Sequence, residues 1–235
     1  MKRHSPFRLK LRSLTKPTPR RIYRFRRRVK QLRVYLALYT LPADPPAALA
    51  LDALFRRAGK LRQAYLTWQS IQDLDFPLEK VIRKQIKKQR KRFLEALRLH
   101  RKEVRALLHQ WRKLYPPPWK QGRVPASWLR QGERWVQLHK AKLMSLPPVP
   151  ETPEQFHELR RVLRSWELAA RWVELPAVPP PSLTKALGEA RDLYLFVQWL
   201  RKKGVEETFY EAVEQNYRQA HEAALSLWQA YRSAL

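Results

Sequence analysis

The sequence predicts an all-α protein made of two antiparallel helical bundles. Three observations support this: apolar residues recur at helical spacing, prolines cluster between the periodic segments, and two sequence blocks repeat in the same order. Apolar residues are 44% of the 235, which is enough for a buried core. Nineteen prolines against five glycines favour abrupt stops between helices over flexible linkers.

The first part of the chain predicts a basic tail followed by one bundle of four helices. Residues 1–19 are the tail, for which an organellar transit peptide is the alternative. The first bundle covers residues 20–146. The predicted helices cover residues 20–40, 47–71, 76–115 and 126–145.

The rest of the chain predicts a proline-rich linker over 147–151 and a second bundle over 152–235. Thr152 and Pro153 suit the N-cap and first position of a helix. Further helices are expected over 182–201 and 205–231. The chain then ends, so the second bundle is expected to be one helix short.

The first predicted helix has an apolar stripe and a basic stripe. Ile22, Val29 and Leu36 lie on the apolar stripe, which should face the core. Arg26 and Lys30 lie about 100° away on a stripe that carries no acid. The same arrangement returns in part after residue 152. One helix design therefore occurs twice.

Two aligned blocks predict an internal duplication with pseudo-symmetric bundles. The first block aligns with an offset of 134 residues and the second with an offset of 129, so one loop differs by five residues. Two matches in the same order are hard to obtain by chance. The matched pairs are Arg26 with Arg160, Arg27 with Arg161, Lys30 with Arg164, Gly59 with Gly188, Arg62 with Arg191, Tyr65 with Tyr194, and Gln69 with Gln198.

Over residues 20–235 the pattern resembles the CHAD domain, the conserved histidine α-helical domain. The motif is His-x-x-Arg-x-x-x-basic-x-x-basic on one helix and Leu-Gly-x-x-Arg-Asp on the next, twice per chain. The resemblance implies two pseudo-symmetric bundles, with a basic surface on and between them that binds inorganic polyphosphate. This sequence departs from the family at Tyr23, where the first histidine belongs, at Gln63, where the first aspartate belongs, and at Glu167, where a basic residue belongs.

The charge distribution predicts a polyanionic partner that is bound mainly by the first half of the chain. The net charge is +29; residues 1–115 hold 32 basic and 7 acidic residues, whereas residues 151–235 hold 11 and 12. Charge and resemblance together give the predicted polyphosphate-binding residues: Arg26, Arg27, Lys30, Arg33, Arg62, His157, Arg160, Arg161, Arg164 and Arg191.

A second basic cluster, Lys84, Lys88 and Lys91, follows one side of the third predicted helix. Its charges either contact a ligand or supply a general electrostatic field, and the second interpretation is favoured because they encircle much of the helix. His157 is either a residue that responds to a bound anion or a hydrogen-bonded surface histidine.

Enzymatic function is not expected. The sequence has no cysteine, no glycine-rich phosphate loop and no spacing typical of a catalytic triad or a metal site, so neither a cofactor nor a metal is predicted. No apolar run is long enough to span a bilayer.

The expected function is non-enzymatic binding of long-chain inorganic polyphosphate in the cytoplasm, in association with polyphosphate granules. The alternatives are RNA binding through the same face and an adaptor at anionic membranes; homo-oligomerisation is left open.

Overall fold

The computed structural model describes residues 6–41, 43, 46–72, 78–117, 125–170, 172–173, 175 and 178–235, with residue 209 by its backbone only. Helices and no strand occur in these residues, so the all-α prediction is confirmed. A 3₁₀ helix, Leu11–Thr15, precedes seven α-helices. These are α1 (Pro19–Thr40), α2 (Leu49–Gln72), α3 (Glu79–Leu114), α4 (Ala126–Met144), α5 (Pro153–Ala169), α6 (Pro181–Lys202) and α7 (Glu207–Ser233).

The chain divides into two compact units, an N-terminal unit of residues 1–125 and a C-terminal unit of residues 126–235. This division lies before the expected linker at 147–151, because α4 packs against α5. The C-terminal unit therefore contains four α-helices, whereas the described part of the N-terminal unit has three and the 3₁₀ helix. The helix expected to be missing from the second bundle is supplied by α4.

In the N-terminal unit α2 packs between α1 and α3, and the 3₁₀ helix packs on α1 and α3. Helix α1 begins at Pro19 because the Thr18 hydroxyl accepts a hydrogen bond from the Arg21 amide at 3.3 Å. Its apolar stripe is buried as expected. Tyr35 joins α1 to the end of α3 by donating its hydroxyl proton to the Tyr115 carbonyl at 3.0 Å.

In the C-terminal unit α4–α7 enclose one apolar core whose largest side chains, Trp166 and Trp228, are fully buried. Helix α5 begins with a complete capping box: the Thr152 hydroxyl accepts from the Gln155 amide, and the Gln155 side chain accepts from the Thr152 amide. At the end of α7, Lys140 of α4 donates to the Leu235 carbonyl.

The order of packing within each unit is similar. Helix α1 packs on α2 and α2 on α3, as α5 packs on α6 and α6 on α7. This order agrees with the predicted duplication, which itself stays a prediction. None of the described helices combines the length and the apolar character needed to cross a membrane.

Candidate anion-binding site

The predicted cations of the N-terminal unit lie on the α1–α2 pair, and each makes a different set of contacts. Arg26 is turned into the interface between the two helices. Its Nη1 donates to the Phe55 carbonyl at 2.8 Å, and its guanidinium carbon lies 4.1 Å from the centre of the Phe55 ring. This guanidinium is therefore anchored to α2 by a hydrogen bond and by a cation–π contact.

Arg33, about two helical turns further along α1, pairs with an acid. Its Nη2 lies 2.5 Å from Oδ1 of Asp52, and its guanidinium carbon is 4.4 Å from the Phe55 ring centre. Phe55 thus contacts two arginines of α1. The side chains of Arg33 and Asp52 remain 43% and 41% exposed, so solvent screens the pair.

Arg62 of α2 faces Tyr23 of α1, the residue that stands where the family pattern has a histidine. The Arg62 guanidinium carbon lies 5.8 Å from the Tyr23 ring centre, and Tyr23 is 46% exposed. Arg27 and Lys30 are half-buried on the same helix. The α1–α2 pair therefore carries all five predicted cations of this unit.

In the C-terminal unit His157 lies at the meeting point of cations from two helices. Partial desolvation of its ring lowers the pKa of His157, and the charges of Arg191, Arg160 and Arg161 lower it further, against a smaller opposite effect of Glu158. Arg191 comes from α6, whereas the others come from α5. Four of the five predicted residues of this unit therefore interact electrostatically on one helix pair.

Two acids of α5 pair with the predicted cations of that helix. Glu158 accepts from Arg161 Nη2 at 2.7 Å and from Lys142 of α4 at 2.8 Å, and these cations lower the pKa of its carboxyl group even though desolvation opposes them. Glu167 pairs with Arg164 and accepts a hydrogen bond from the Thr184 hydroxyl at 2.9 Å. Sequence reasoning noted Glu167 only as a departure from the family pattern.

Three interactions between the helices of each pair occur at matching positions when the two offsets are applied. Arg26 faces Gly59 as Arg160 faces Gly188. Tyr23 faces Arg62 as His157 interacts with Arg191. Arg33 contacts Phe55 as Glu167 contacts Thr184. The two helix pairs therefore share a framework of contacts, although the chemistry differs at two of the three positions.

The second basic cluster lies on α3, whose 36 residues include 14 lysines and arginines and three acids. Lys84, Lys88 and Lys91 are exposed, as a cluster that faces solvent requires. A groove of about 670 Å³ follows α3 and α2, and sequence reasoning missed it because Arg57 comes from a different helix. Its lining combines the cations Arg57, Arg92, Arg98 and Lys102 with His100, Glu95, Leu99, Ala53 and Ala96.

Within the described ranges, no three His, Asp or Glu side chains come together as metal ligands would. Comparison with protein-family models, curated protein sequences and solved structures finds no match for this chain.

Proposed function

We propose that this chain is a non-enzymatic polyphosphate-binding protein of the CHAD type that holds the phosphate chain on its α1–α2 and α5–α6 pairs. The observation that carries the proposal is the repeated contact framework, which gathers the predicted cations on one helix pair in each unit. The family resemblance supplies the ligand. On this proposal the protein works in the cytoplasm, at polyphosphate granules.

The physical chemistry of the ligand fits this arrangement. Polyphosphate carries about one negative charge per phosphate, so a binding surface needs several cations at short intervals on a rigid support. Side chains three or four residues apart on a helix lie roughly 5–6 Å apart. Arginine grips phosphate oxygens with a planar fork and lysine with a mobile point charge. Long chains should bind more tightly than short ones because they engage more cations at once.

Acidic side chains within the cluster should lower the contribution to phosphate binding of the arginines that they pair with. Asp52, Glu158 and Glu167 already pair with Arg33, Arg161 and Arg164. An incoming phosphate must compete with each of these carboxylates, so the paired arginines should contribute less. The proposal also assigns contacts with phosphate to Arg27, Lys30, Arg62 and Arg191, and to His157 once an anion is bound.

RNA is the second candidate ligand, and α3 is the feature that favours it. This helix is about 54 Å long at 1.5 Å per residue, and its cations continue along most of that length. Leu99, 75% exposed, lines the basic groove. An exposed leucine offers nothing to a bare phosphate chain but can contact a ribose or a base.

The test is binding of fluorescently labelled long-chain polyphosphate at physiological salt. The Arg27→Gln, Lys30→Gln, Arg62→Gln triple variant removes three charges from the α1–α2 pair. The matched control, Arg112→Gln, Lys113→Gln, Lys202→Gln, removes three charges from exposed positions outside the cluster. We expect the first variant to weaken binding at least tenfold more than the control does. Equal weakening would show that only net charge matters and would refute the site.

A further inference from the structure

We propose that Gly59 is a seat for the guanidinium group of Arg26, with a looser counterpart at Gly188 and Arg160, which makes Arg26 a positioning residue and not a ligand of the anion. The seats themselves follow from the geometry of each unit. The consequence for binding rests on the proposed function. Each seat fixes how the first helix of a pair lies on the second, and so sets which cations face outward.

The first seat has no room for a side chain on the glycine. A Cβ atom on Gly59 would lie 2.6 Å from Arg26 Nη1, closer than real Cβ contacts allow, and 3.3 Å from its guanidinium carbon, which is a tight contact. The guanidinium is held in that place by the Phe55 carbonyl and the face of the Phe55 ring. Phe55 and Gly59 lie one helical turn apart on α2, so both residues lie against the same guanidinium group, that of Arg26.

The second seat is looser and is found at the matching position. A Cβ atom on Gly188 would lie 3.4 Å from Nη2 and 3.7 Å from Nε of Arg160. The sequence alignment pairs the arginines through one offset and the glycines through another, and neither offset contains information about contacts between helices. The recurrence of the arginine–glycine contact is therefore an independent observation.

Backbone conformation does not explain either glycine. Among the described glycines only Gly204 has a positive φ, 66°, so Gly59 and Gly188 lie in helices with an ordinary backbone. Glycine inside a helix costs stability relative to alanine. At Gly59, space for the guanidinium is the feature of the structure that accounts for that cost, whereas a Cβ on Gly188 would make only ordinary contacts.

A double-mutant cycle tests the seat, because Gly59→Ala should change the melting temperature in opposite directions with and without Arg26. In the wild-type background Gly59→Ala should lower the melting temperature and loosen amide hydrogen exchange in α1 and α2, because the new methyl group expels the anchored guanidinium. In the Arg26→Ala background, where the seat is empty, the same substitution should raise the melting temperature by about 2–4 °C through helix propensity. Gly188→Ala, whose methyl group would lie at an ordinary van der Waals distance from Arg160, should raise the melting temperature both with and without Arg160.

Gly132→Ala is the matched control, because its Cβ would meet Leu175 and Val173 and no arginine. Its effect should be the same with and without Arg26. If Gly59→Ala shifts the melting temperature in the same direction in both Arg26 backgrounds, the seat does not exist and the inference is wrong.

A salt titration of polyphosphate binding tests whether Arg26 is a positioning residue or a ligand of the anion. Each cation that contacts phosphate contributes to the slope of log affinity against log salt concentration. Lys30→Gln should reduce the slope by about one, whereas Arg26→Gln should weaken binding through altered geometry at an unchanged slope. An equal loss of slope in both variants would make Arg26 a ligand and overturn the positioning role. If Lys30→Gln also leaves the slope unchanged, the proposed function fails at this site, whereas the stability cycle still decides whether the seat exists.

Discussion

The α1–α2 and α5–α6 pairs are similar in their framework and different in their chemistry. Both seat an arginine against a glycine, but Tyr23 in one pair corresponds to His157 in the other. At the third matching contact, Arg33 stacks on Phe55 in one pair, whereas Glu167 accepts from Thr184 in the other. The comparison indicates that packing constrains the contact positions more tightly than it constrains the charges placed on them.

Because of this difference, we expect the two units to make different contributions to polyphosphate binding. The N-terminal unit has the greater excess of cations, and the side chain facing Arg62 is the phenol of Tyr23. The C-terminal unit is nearly neutral and carries a histidine at that point. We therefore expect the first unit to supply most of the affinity and the second to supply its dependence on pH.

The largest effect is expected in the cores, at another matched pair of positions. Trp166 and Leu32 are separated by the offset of 134 residues, and both are fully buried. Trp166→Ala should cost about 3–5 kcal/mol and Leu32→Ala about 2–5 kcal/mol of unfolding free energy, each in its own unit. Urea unfolding followed by hydrogen exchange of each unit measures both. A cost below about 1 kcal/mol at either position would contradict the described core.

A large effect of acid is expected in the C-terminal unit alone, through His139 of α4. Burial lowers the pKa of His139 to about 4, although its Nδ1 donates to the Trp135 carbonyl at 3.0 Å. Its ring also stacks on Trp135, with ring centres 4.0 Å apart. The folded pKa of His139 lies below the unfolded value of about 6.5. The stabilisation of the folded state by neutral His139 is therefore fully present above pH 6.5 and is lost as the pH falls toward 4.

The loss from His139 should reach about 3 kcal/mol, since one pKa unit corresponds to about 1.4 kcal/mol. His139→Phe keeps a ring for stacking on Trp135 and removes the titration. Its unfolding free energy should therefore fall less than that of the wild type between pH 6.5 and 4. Parallel curves for the two proteins would show that His139 does not contribute to the acid response.

A smaller effect is expected when the acid of the N-terminal cluster is neutralised. Asp52→Asn removes the carboxylate that pairs with Arg33, and we expect polyphosphate to bind about two to five times more tightly. Stability should change by less than about 1 kcal/mol because the pair is exposed to solvent. Glu211 is an exposed acid on α7, outside both helix pairs, so Glu211→Gln is the charge-matched control. Weaker binding by Asp52→Asn would mean that the carboxylate orients Arg33 for the ligand.

The smallest effect is the pH dependence that His157 should give to binding. Desolvation and three arginines keep its pKa below the usual value in the free protein, and a bound anion offsets those charges and raises it. Proton uptake is then linked to binding, so affinity should increase about threefold as the pH falls from 8 to 6. His157→Gln should flatten this dependence, whereas His109→Gln, on the exposed side of α3, should leave it intact. A dependence that survives in His157→Gln would assign the proton to another group.

Much of the fold follows from the sequence by simple rules. Proline clusters and 3.6-residue periodicity placed the helix ends within about two or three residues, since proline cannot continue a helix and caps such as Thr152 are recognisable. The partner of α4 could not be predicted in this way. Periodicity identifies the apolar face of a helix but not the helix against which it packs, and so the first bundle was given a helix that belongs to the second unit.

The candidate site was predictable by residue type but not by role. Charge and the repeated motif identify Arg26, Arg33 and Arg164 alike as cations on helix faces. The contacts of Arg26 and Arg33 depend on Phe55 and Asp52 of another helix, which no single-helix pattern relates to them, whereas Glu167 lies at i+3 from Arg164 on the same helix. The matching positions of Gly59 and Gly188 were the one sequence signal of the arginine seats, and their meaning required the distances.

The most direct test of the central claim is a competition measurement on the full chain. Labelled long-chain polyphosphate is displaced at physiological salt by unlabelled polyphosphate, by single-stranded RNA of equal phosphate number, and by short polyphosphate. We predict that long-chain polyphosphate competes at least a hundredfold better than RNA and clearly better than the short chain. Equal competition by RNA would contradict polyphosphate specificity and identify the basic surfaces as a general site for polyanions.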